Sequence, residues 1–165
     1  MTSGLLVFGW GNLSRGDDAL GPLFVQRLRG RTDGRTPGVR VEFLEDYQLQ
    51  VEHALDLVGR DGVLFVDASR TCAEPFAVRA LRPARDASFT THAISPESVM
   101  QVYWELYQLP PPPCTLLAIR ASRFDLGQPP GAAALENLDL AVQWGQSWIS
   151  AQATCAAADS GCAHA

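Results

Sequence analysis

Two adjacent carboxylates, Asp17 and Asp18, are the first side chains in the sequence whose types and spacing suit catalysis or metal binding. They follow an apolar run, residues 5–8, and a glycine-rich turn, residues 9–12. The run is typical of a buried strand, and the amphipathic stretch that begins after the acids is typical of a helix. Because open α/β sheets bind ligands at the carboxyl ends of their strands, this segment predicts an acidic site for a cation or for acid–base chemistry.

Two other interpretations fit parts of the same segment. An acid near a helix N-terminus can cap the helix and interact favourably with its dipole. Gly9 and Gly11 match the start of a dinucleotide-binding fingerprint, but Ser14 occupies the place of its third glycine, and the lysine of a Walker loop is absent. Consecutive side chains cannot point the same way, so one acid can cap the helix while the other faces a cleft.

A third acid, Asp67, follows the second fully apolar run, residues 63–66. The most apolar strands are expected at the centre of a sheet, where both of their faces are covered. The runs at 5–8 and 63–66 should therefore be neighbours, and Asp18 and Asp67 should meet at the carboxyl edge that they share. A single acid after a buried strand is often only a loop start, whereas two that converge favour a functional site.

The alternation of strand and helix patterns predicts an α/β three-layer sandwich, in which a mostly parallel, twisted sheet of about five strands has helices on both faces. The predicted strands lie at 5–8, 39–43, 63–66, 76–81 and 115–121, and the predicted helices lie from 20 to about 29, at 51–58, after a Ser95 cap, and at 131–150. Residues 1–150 are expected to form a single domain. Residues 151–165 are mostly small and are expected to form a loose tail.

Composition excludes several classes of function. The chain has 165 residues, of which 47% are hydrophobic, and a formal net charge of -5 with a pI near 5.1. This acidity argues against nucleic acid or an anionic membrane as a partner. No apolar run approaches the roughly 18 residues of a membrane span, and no basic region precedes the first apolar run as in a signal peptide. The four cysteines form no CxxC pair, which predicts free thiols in a reducing cytoplasm.

The segment 9–21 resembles the opening of the [NiFe]-hydrogenase maturation proteases. Gly9-Trp10-Gly11-Asn12 matches the Gly-x-Gly-Asn turn of that family, and Asp17-Asp18 matches its Asp-Asp/Glu pair, followed by x-x-Gly. The likeness extends more weakly over roughly residues 4–150. It implies an endopeptidase that removes the C-terminal extension of a hydrogenase large-subunit precursor after nickel insertion.

The resemblance also implies roles for particular residues. Asp18, Asp67 and His92 match the residues that contact nickel in the family, and the nickel arrives with the substrate, so the chain needs no cofactor of its own. Asp18 and Asp67, with Asp17 as the spare carboxylate, are the implied catalytic residues. Asp17 is expected either to orient the other two acids or to cap the helix.

The chain departs from the family pattern at two places. In the best-known pattern the histidine follows the Ser-Pro pair of a helix start, where this chain has Glu97 and places His92 earlier; His53 is the alternative third ligand. Residues 45–49 replace the glycine-rich segment Asp-Gly-Gly-Thr of many relatives. This replacement suggests the branch that serves soluble NAD-reducing hydrogenases.

The sequence alone does not select one mechanism of hydrolysis, and it allows two rival functions. No Ser-His-Asp or Cys-His arrangement has a recognisable spacing, and no His-Glu-x-x-His helix occurs. Water attack on a peptide bond can instead be assisted by an Asp general base or by nickel that polarises the carbonyl. The rivals are a non-catalytic metal-sensing maturation chaperone and a nucleotide-binding oxidoreductase.

Overall fold

The computed structural model describes residues 3–32, 36–86 and 94–161, which form a five-stranded sheet between two helical layers. The strands are β1 (Ser3–Trp10), β2 (Val39–Asp46), β3 (Gly62–Ser69), β4 (Phe76–Ala80) and β5 (Cys114–Arg120). The α-helices are α1 (Leu20–Thr32), α2 (Pro96–Tyr107) and α3 (Ala132–Gly161), and two 3₁₀ helices span Gly16–Ala19 and Val51–Leu57.

The strand order is β2-β1-β3-β5-β4, and every pairing is parallel except that of β4 with β5. The predicted α/β sandwich is therefore confirmed, and so is the pairing of the two most apolar strands, β1 and β3. Gly9 of β1 pairs with Val66 of β3, and Trp10 pairs with Asp46 of β2. This register brings Asp46 and Asp67 to the same carboxyl edge of the sheet.

The two faces of the sheet are covered by different helices. On one face, α1 and α3 bury side chains such as Phe24 and Leu138 against β1, β3 and β5. On the other face, α2 and the 3₁₀ helix Val51–Leu57 bury Val99 and Ala54 against Phe8 and Phe65. Each face therefore has its own apolar cluster, and both clusters hold the carboxyl edge of the central strands in place.

The glycines of the opening motif allow β1 and α1 to approach closely. A Cβ atom on Gly9 would overlap the carbonyl oxygen of Gly21, and one on Gly21 would overlap that of Trp10. Gly11 has φ +147°, and a Cβ there would overlap the carbonyl oxygen of Asp18. Backbone packing thus accounts for glycines that also match a dinucleotide fingerprint.

Helix α2 begins as predicted, because the Ser98 N–H donates to Ser95 Oγ at 3.1 Å and Pro96 is the first helical residue. Helix α3, however, continues past Ser150 to Gly161, where the sequence had predicted a loose tail. The physical reason is composition: residues 151–158 include five alanines, the best helix formers, and a helix that has already formed is extended easily. Ala153 also packs against the core cluster of α1 and α3.

Two further findings concern the described ranges. Within them no helix is long and apolar enough to span a bilayer. Cys72, Cys114 and Cys155 are free thiols, as predicted for these three residues.

Candidate active site

Asp18 lies in the 3₁₀ helix Gly16–Ala19, directly after the turn that follows β1. The side chain is half-buried, and Oδ2 accepts a hydrogen bond of 2.9 Å from the backbone N–H of Asn12. The close approach of Gly11 to the Asp18 backbone sets this geometry. The carboxylate is thus held by the turn of its own motif, at the carboxyl end of β1.

Asp67 lies near the end of β3 and is also half-buried. Burial raises the pKa of the Asp67 carboxyl to about 7. One hydrogen bond from the Ala68 N–H, at 2.8 Å, acts against this rise, and the negative charge of Asp18 adds to it. Asp18 and Asp67 therefore lie close enough to interact electrostatically, as the sequence predicted, and Asp67 exchanges its proton near neutral pH.

Asp17 points the opposite way from its neighbour and is fully buried. Its Oδ2 accepts hydrogen bonds from the Ser122 and Arg123 N–H groups at 2.8 and 2.9 Å, and Oδ1 accepts one from the Gly131 N–H at 2.8 Å. Burial acts to raise the pKa of Asp17, but these three donors outweigh it, and the pKa lies below its usual value. Asp17 joins the loops around α3 to the motif, and its full burial does not support the predicted catalytic role.

Of the two candidate histidines, only His53 lies within the described residues. His92 lies outside the described residues. His53 is 8% exposed and lies in the 3₁₀ helix Val51–Leu57. Its Nδ1 accepts a hydrogen bond from the Gln50 N–H at 2.8 Å, so the ring proton must be on Nε2, which lies 3.0 Å from Asp46 Oδ2. Both ring nitrogens are engaged, which argues against His53 as the alternative metal ligand.

Two clefts of about 390 Å³ each lie at the carboxyl edge of the sheet. The first, named here the Tyr47 cleft, is lined by Gly11, Asn12, Leu13, Ser14, Pro22, Glu45, Asp46 and Tyr47. The second, named here the Asp67 cleft, is lined by Asp67, Ala68, Ser69, Thr71, Cys72, Ala77, Arg79, Leu116 and Ala118. The Tyr47 cleft contains Asn12, which holds Asp18, and the Asp67 cleft contains Asp67 itself.

The pair offers two carboxylates and no thiolate. Within the described ranges, no three His, Cys, Asp or Glu side chains are grouped closely enough to hold a metal ion. The oxygen donors of Asp18 and Asp67 suit contact with a cation that has other ligands already. They also suit proton transfer to and from water, because the pKa of Asp67 is about 7.

The sequence did not predict the parts that Asn12 and Tyr47 play in this site. Asn12 holds Asp18 through its backbone and donates its Nδ2–H to the Tyr47 hydroxyl at 2.8 Å. Residues 45–49 could have indicated the part of Tyr47, because there a tyrosine stands among residues that replace the glycine-rich segment of the family pattern. A side chain in place of glycine can change the shape of a cleft.

Comparison with solved structures identifies proteins of the same fold, whereas no family model and no curated sequence matches the chain. The [NiFe] hydrogenase maturation protease HycI from Thermococcus kodakarensis aligns over 90% of this chain and 92% of its own, with 22% identity and a TM-score of 0.67. The hydrogenase maturating endopeptidase HybD from E. coli aligns over 92% and 94%, with 19% identity and a TM-score of 0.67. The endopeptidase HycI from Escherichia coli aligns over 90% and 91%, with 18% identity and a TM-score of 0.62.

This chain therefore has the fold of the hydrogenase maturation proteases over nearly its whole length. The resemblance predicted from the glycine turn and the acid pair is confirmed at the level of the fold. At these identities the likeness establishes architecture, and the acid pair must supply the argument for activity.

Proposed function

We propose that this chain is an endopeptidase that removes the C-terminal extension of a [NiFe]-hydrogenase large-subunit precursor. The observation that carries the proposal is the meeting of Asp18 and Asp67 at the carboxyl edge of a sheet with the fold of the maturation proteases. Next to Asp18, the buried Asp17 accepts a hydrogen bond from the Gly131 N–H, which connects the segment before α3 to the motif.

Hydrolysis requires that a water oxygen attack the carbonyl carbon while the water gives up a proton, and that the leaving amine gain one. A carboxylate with a pKa near 7 is suited to both transfers at neutral pH, which favours Asp67 for this role. Asp18 places a second carboxylate beside it. Both water activation and contact with a cation need ionised Asp67, so cleavage should increase as the pH rises through about 7.

In this proposal nickel is part of the substrate, because the precursor carries it to the site. Two carboxylates form a hard donor set that can contact a metal ion already held by the precursor. Cleavage would then report that metal insertion is complete. His92 is the proposed third contact, and its role rests on the family resemblance alone. The reaction is proposed to take place in the cytoplasm, where free thiols such as Cys72 and Cys114 stay reduced.

The deciding experiment mixes the chelator-washed protein with a nickel-loaded large-subunit precursor and weighs the products by mass spectrometry. Loss of a C-terminal peptide from the nickel-loaded precursor, with the metal-free precursor left intact, supports the proposal. Binding without shortening would favour the metal-sensing chaperone. Cleavage of the metal-free precursor would show an ordinary peptidase and remove nickel from the mechanism.

A further inference from the structure

Tyr47 is highly exposed and is nevertheless held by hydrogen bonds at two points. The residue is 65% exposed. Its backbone N–H donates to Asp46 Oδ1 at 2.6 Å, and its hydroxyl accepts a hydrogen bond from Asn12 Nδ2 at 2.8 Å. An exposed ring loses conformational entropy when it is fixed in this way, and nothing in the packing of the core requires that cost.

A pair formed by Asp46 and the buried imidazole of His53 supports one of the two points. Asp46 Oδ2 accepts a hydrogen bond from His53 Nε2, while Oδ1 accepts the one from Tyr47. The Gln50 N–H fixes the tautomer of His53, and the imidazole packs against Phe8 with 4.6 Å between ring centroids. The backbone at Tyr47 is therefore anchored to the apolar layer beneath the second 3₁₀ helix.

The other point connects Tyr47 to the acid pair. Asn12 donates its backbone N–H to Asp18 Oδ2 and its side-chain N–H to the Tyr47 hydroxyl. Its Oδ1 accepts a hydrogen bond from the Ser14 N–H at 2.9 Å, which fixes the orientation of the side-chain amide. Tyr47 is thus connected to Asp18 by hydrogen bonds through one intervening residue, Asn12.

The lining of the Tyr47 cleft indicates what would bind there. Leu13 and Pro22 line it together with the Tyr47 ring. The acids at its margin already have donors from this chain, since Glu45 accepts from Gln26 Nε2 at 3.2 and 3.3 Å and Asp46 accepts from His53 and Tyr47. The cleft therefore presents apolar walls beside carboxylates that already accept hydrogen bonds from this chain.

We propose that Tyr47 is a substrate-binding residue whose ring receives an apolar side chain of the precursor next to the bond to be cut. Asn12 and the Asp46–His53 pair are its positioning residues. The inference rests on the proposed function, because it needs a peptide held across the acid pair. A ring fixed in advance binds more tightly, since its ordering has been completed before the substrate arrives.

Steady-state kinetics with the nickel-loaded precursor test the role of the ring. Tyr47→Ala should raise KM about tenfold with kcat within about twofold, because it removes binding that is equal in ground and transition states. Tyr47→Phe keeps the ring and loses only the bond to Asn12, so KM should rise about two- to threefold. Tyr107→Ala is the matched control: it removes a tyrosine that is 37% exposed on α2, outside the cleft, and should leave KM unchanged.

A double-mutant cycle tests the positioning residues. Asp46→Ala should raise KM in the wild-type background and add almost nothing in the Tyr47→Ala background, because both changes remove the same fixed ring. Effects that multiply across the two backgrounds would overturn the positioning role, since an unrelated structural defect would act independently of the ring.

A binding measurement separates failure of this inference from failure of the proposed function. Asp67→Asn removes the carboxylate needed for cleavage, so the affinity of the intact precursor can be measured by calorimetry with and without Tyr47→Ala. A loss of about tenfold in affinity supports the Tyr47 site even if cleavage is never observed. Unchanged affinity together with an unchanged KM overturns it, whereas wild-type protein that binds the precursor without cutting it overturns only the proposed hydrolysis.

Discussion

Asp17, which is fully buried, and Asp67, which is half-buried, lie at the same edge of one sheet, yet their pKa values move in opposite directions. Asp17 accepts three backbone N–H groups, which outweigh the effect of burial and lower its pKa. Asp67 accepts one such group and faces the negative charge of Asp18, so burial prevails and its pKa rises to about 7. The number of donors decides between a structural and a reactive carboxylate, and burial alone does not.

The largest expected effect is on activity, from Asp67→Asn. Asparagine is nearly the same size and cannot accept a proton at neutral pH, so precursor processing should fall by about a hundredfold or more while the fold is retained. The product is quantified by mass spectrometry. Asp125→Asn, which changes an exposed carboxylate, is the control and should process normally. Normal processing by Asp67→Asn would remove Asp67 from the site.

Asp17→Ala should instead act on stability. It leaves three partly buried backbone N–H groups without their acceptor, and the free energy of unfolding in urea should fall by about 3 kcal/mol. Asp17→Asn keeps one acceptor oxygen, so its free energy of unfolding should fall by less than that of Asp17→Ala. The folded Asp17→Asn protein should have near-normal activity. An Asp17→Asn variant that is fully stable yet inactive would contradict this prediction and support a catalytic role for Asp17.

The pH dependence of stability should also separate the two carboxylates. The folded pKa of Asp67 lies near 7, above its unfolded value of 3.8, so the stabilisation is complete below about pH 4 and is lost as the pH rises through about 7. Relative to Asp67→Asn, the wild-type free energy of unfolding should fall by roughly 2–4 kcal/mol over that window. Asp17 has a lowered pKa, so its contribution is present above about pH 4 and lost on acidification.

Urea titrations at several pH values measure both slopes. The Asp67 prediction fails if the wild-type protein and Asp67→Asn respond identically to pH between about 4 and 7.5. The Asp17 prediction fails if Asp17→Asn loses no more stability relative to wild type at pH 6 than at pH 3.

The smallest expected effect follows truncation after Ser150. The removed turns of α3 are alanine-rich, and Ala153 packs against the core cluster from a partly buried position. Tm should drop by no more than a few degrees, with processing unchanged, as differential scanning fluorimetry and the precursor assay would show. A larger drop in Tm would contradict this prediction and show that the end of α3 contributes substantially to the stability of the core.

The sequence alone predicted the fold well because the apolar runs 5–8 and 63–66 are unambiguous and a parallel sheet places their carboxyl ends together. It also predicted that Asp17 and Asp18 diverge. It did not predict which acid would be buried, because Asp17 is satisfied by Ser122, Arg123 and Gly131, more than a hundred residues away. Long-range donors leave no local pattern.

The same limit applies to His53 and to the last helix. The sequence predicted the position of the short helix that contains His53, but the roles of the two ring nitrogens depend on Gln50 and Asp46 in three dimensions. The end of α3 was misjudged for a different reason. An absence of large apolar residues predicted a loose chain, although alanine by itself favours a helix.

The strands at the two margins of the sheet have a consequence for aggregation. β2 and β4 each pair with one neighbour among the described strands, so the outer row of backbone groups of each is not paired with any described strand. Such a row can template pairing with another chain. β2 displays the charges of Arg40, Glu42 and Glu45 along this margin, and β4 is only five residues long and displays Arg79. These charges, and the shortness of β4, oppose edge-to-edge growth into fibrils.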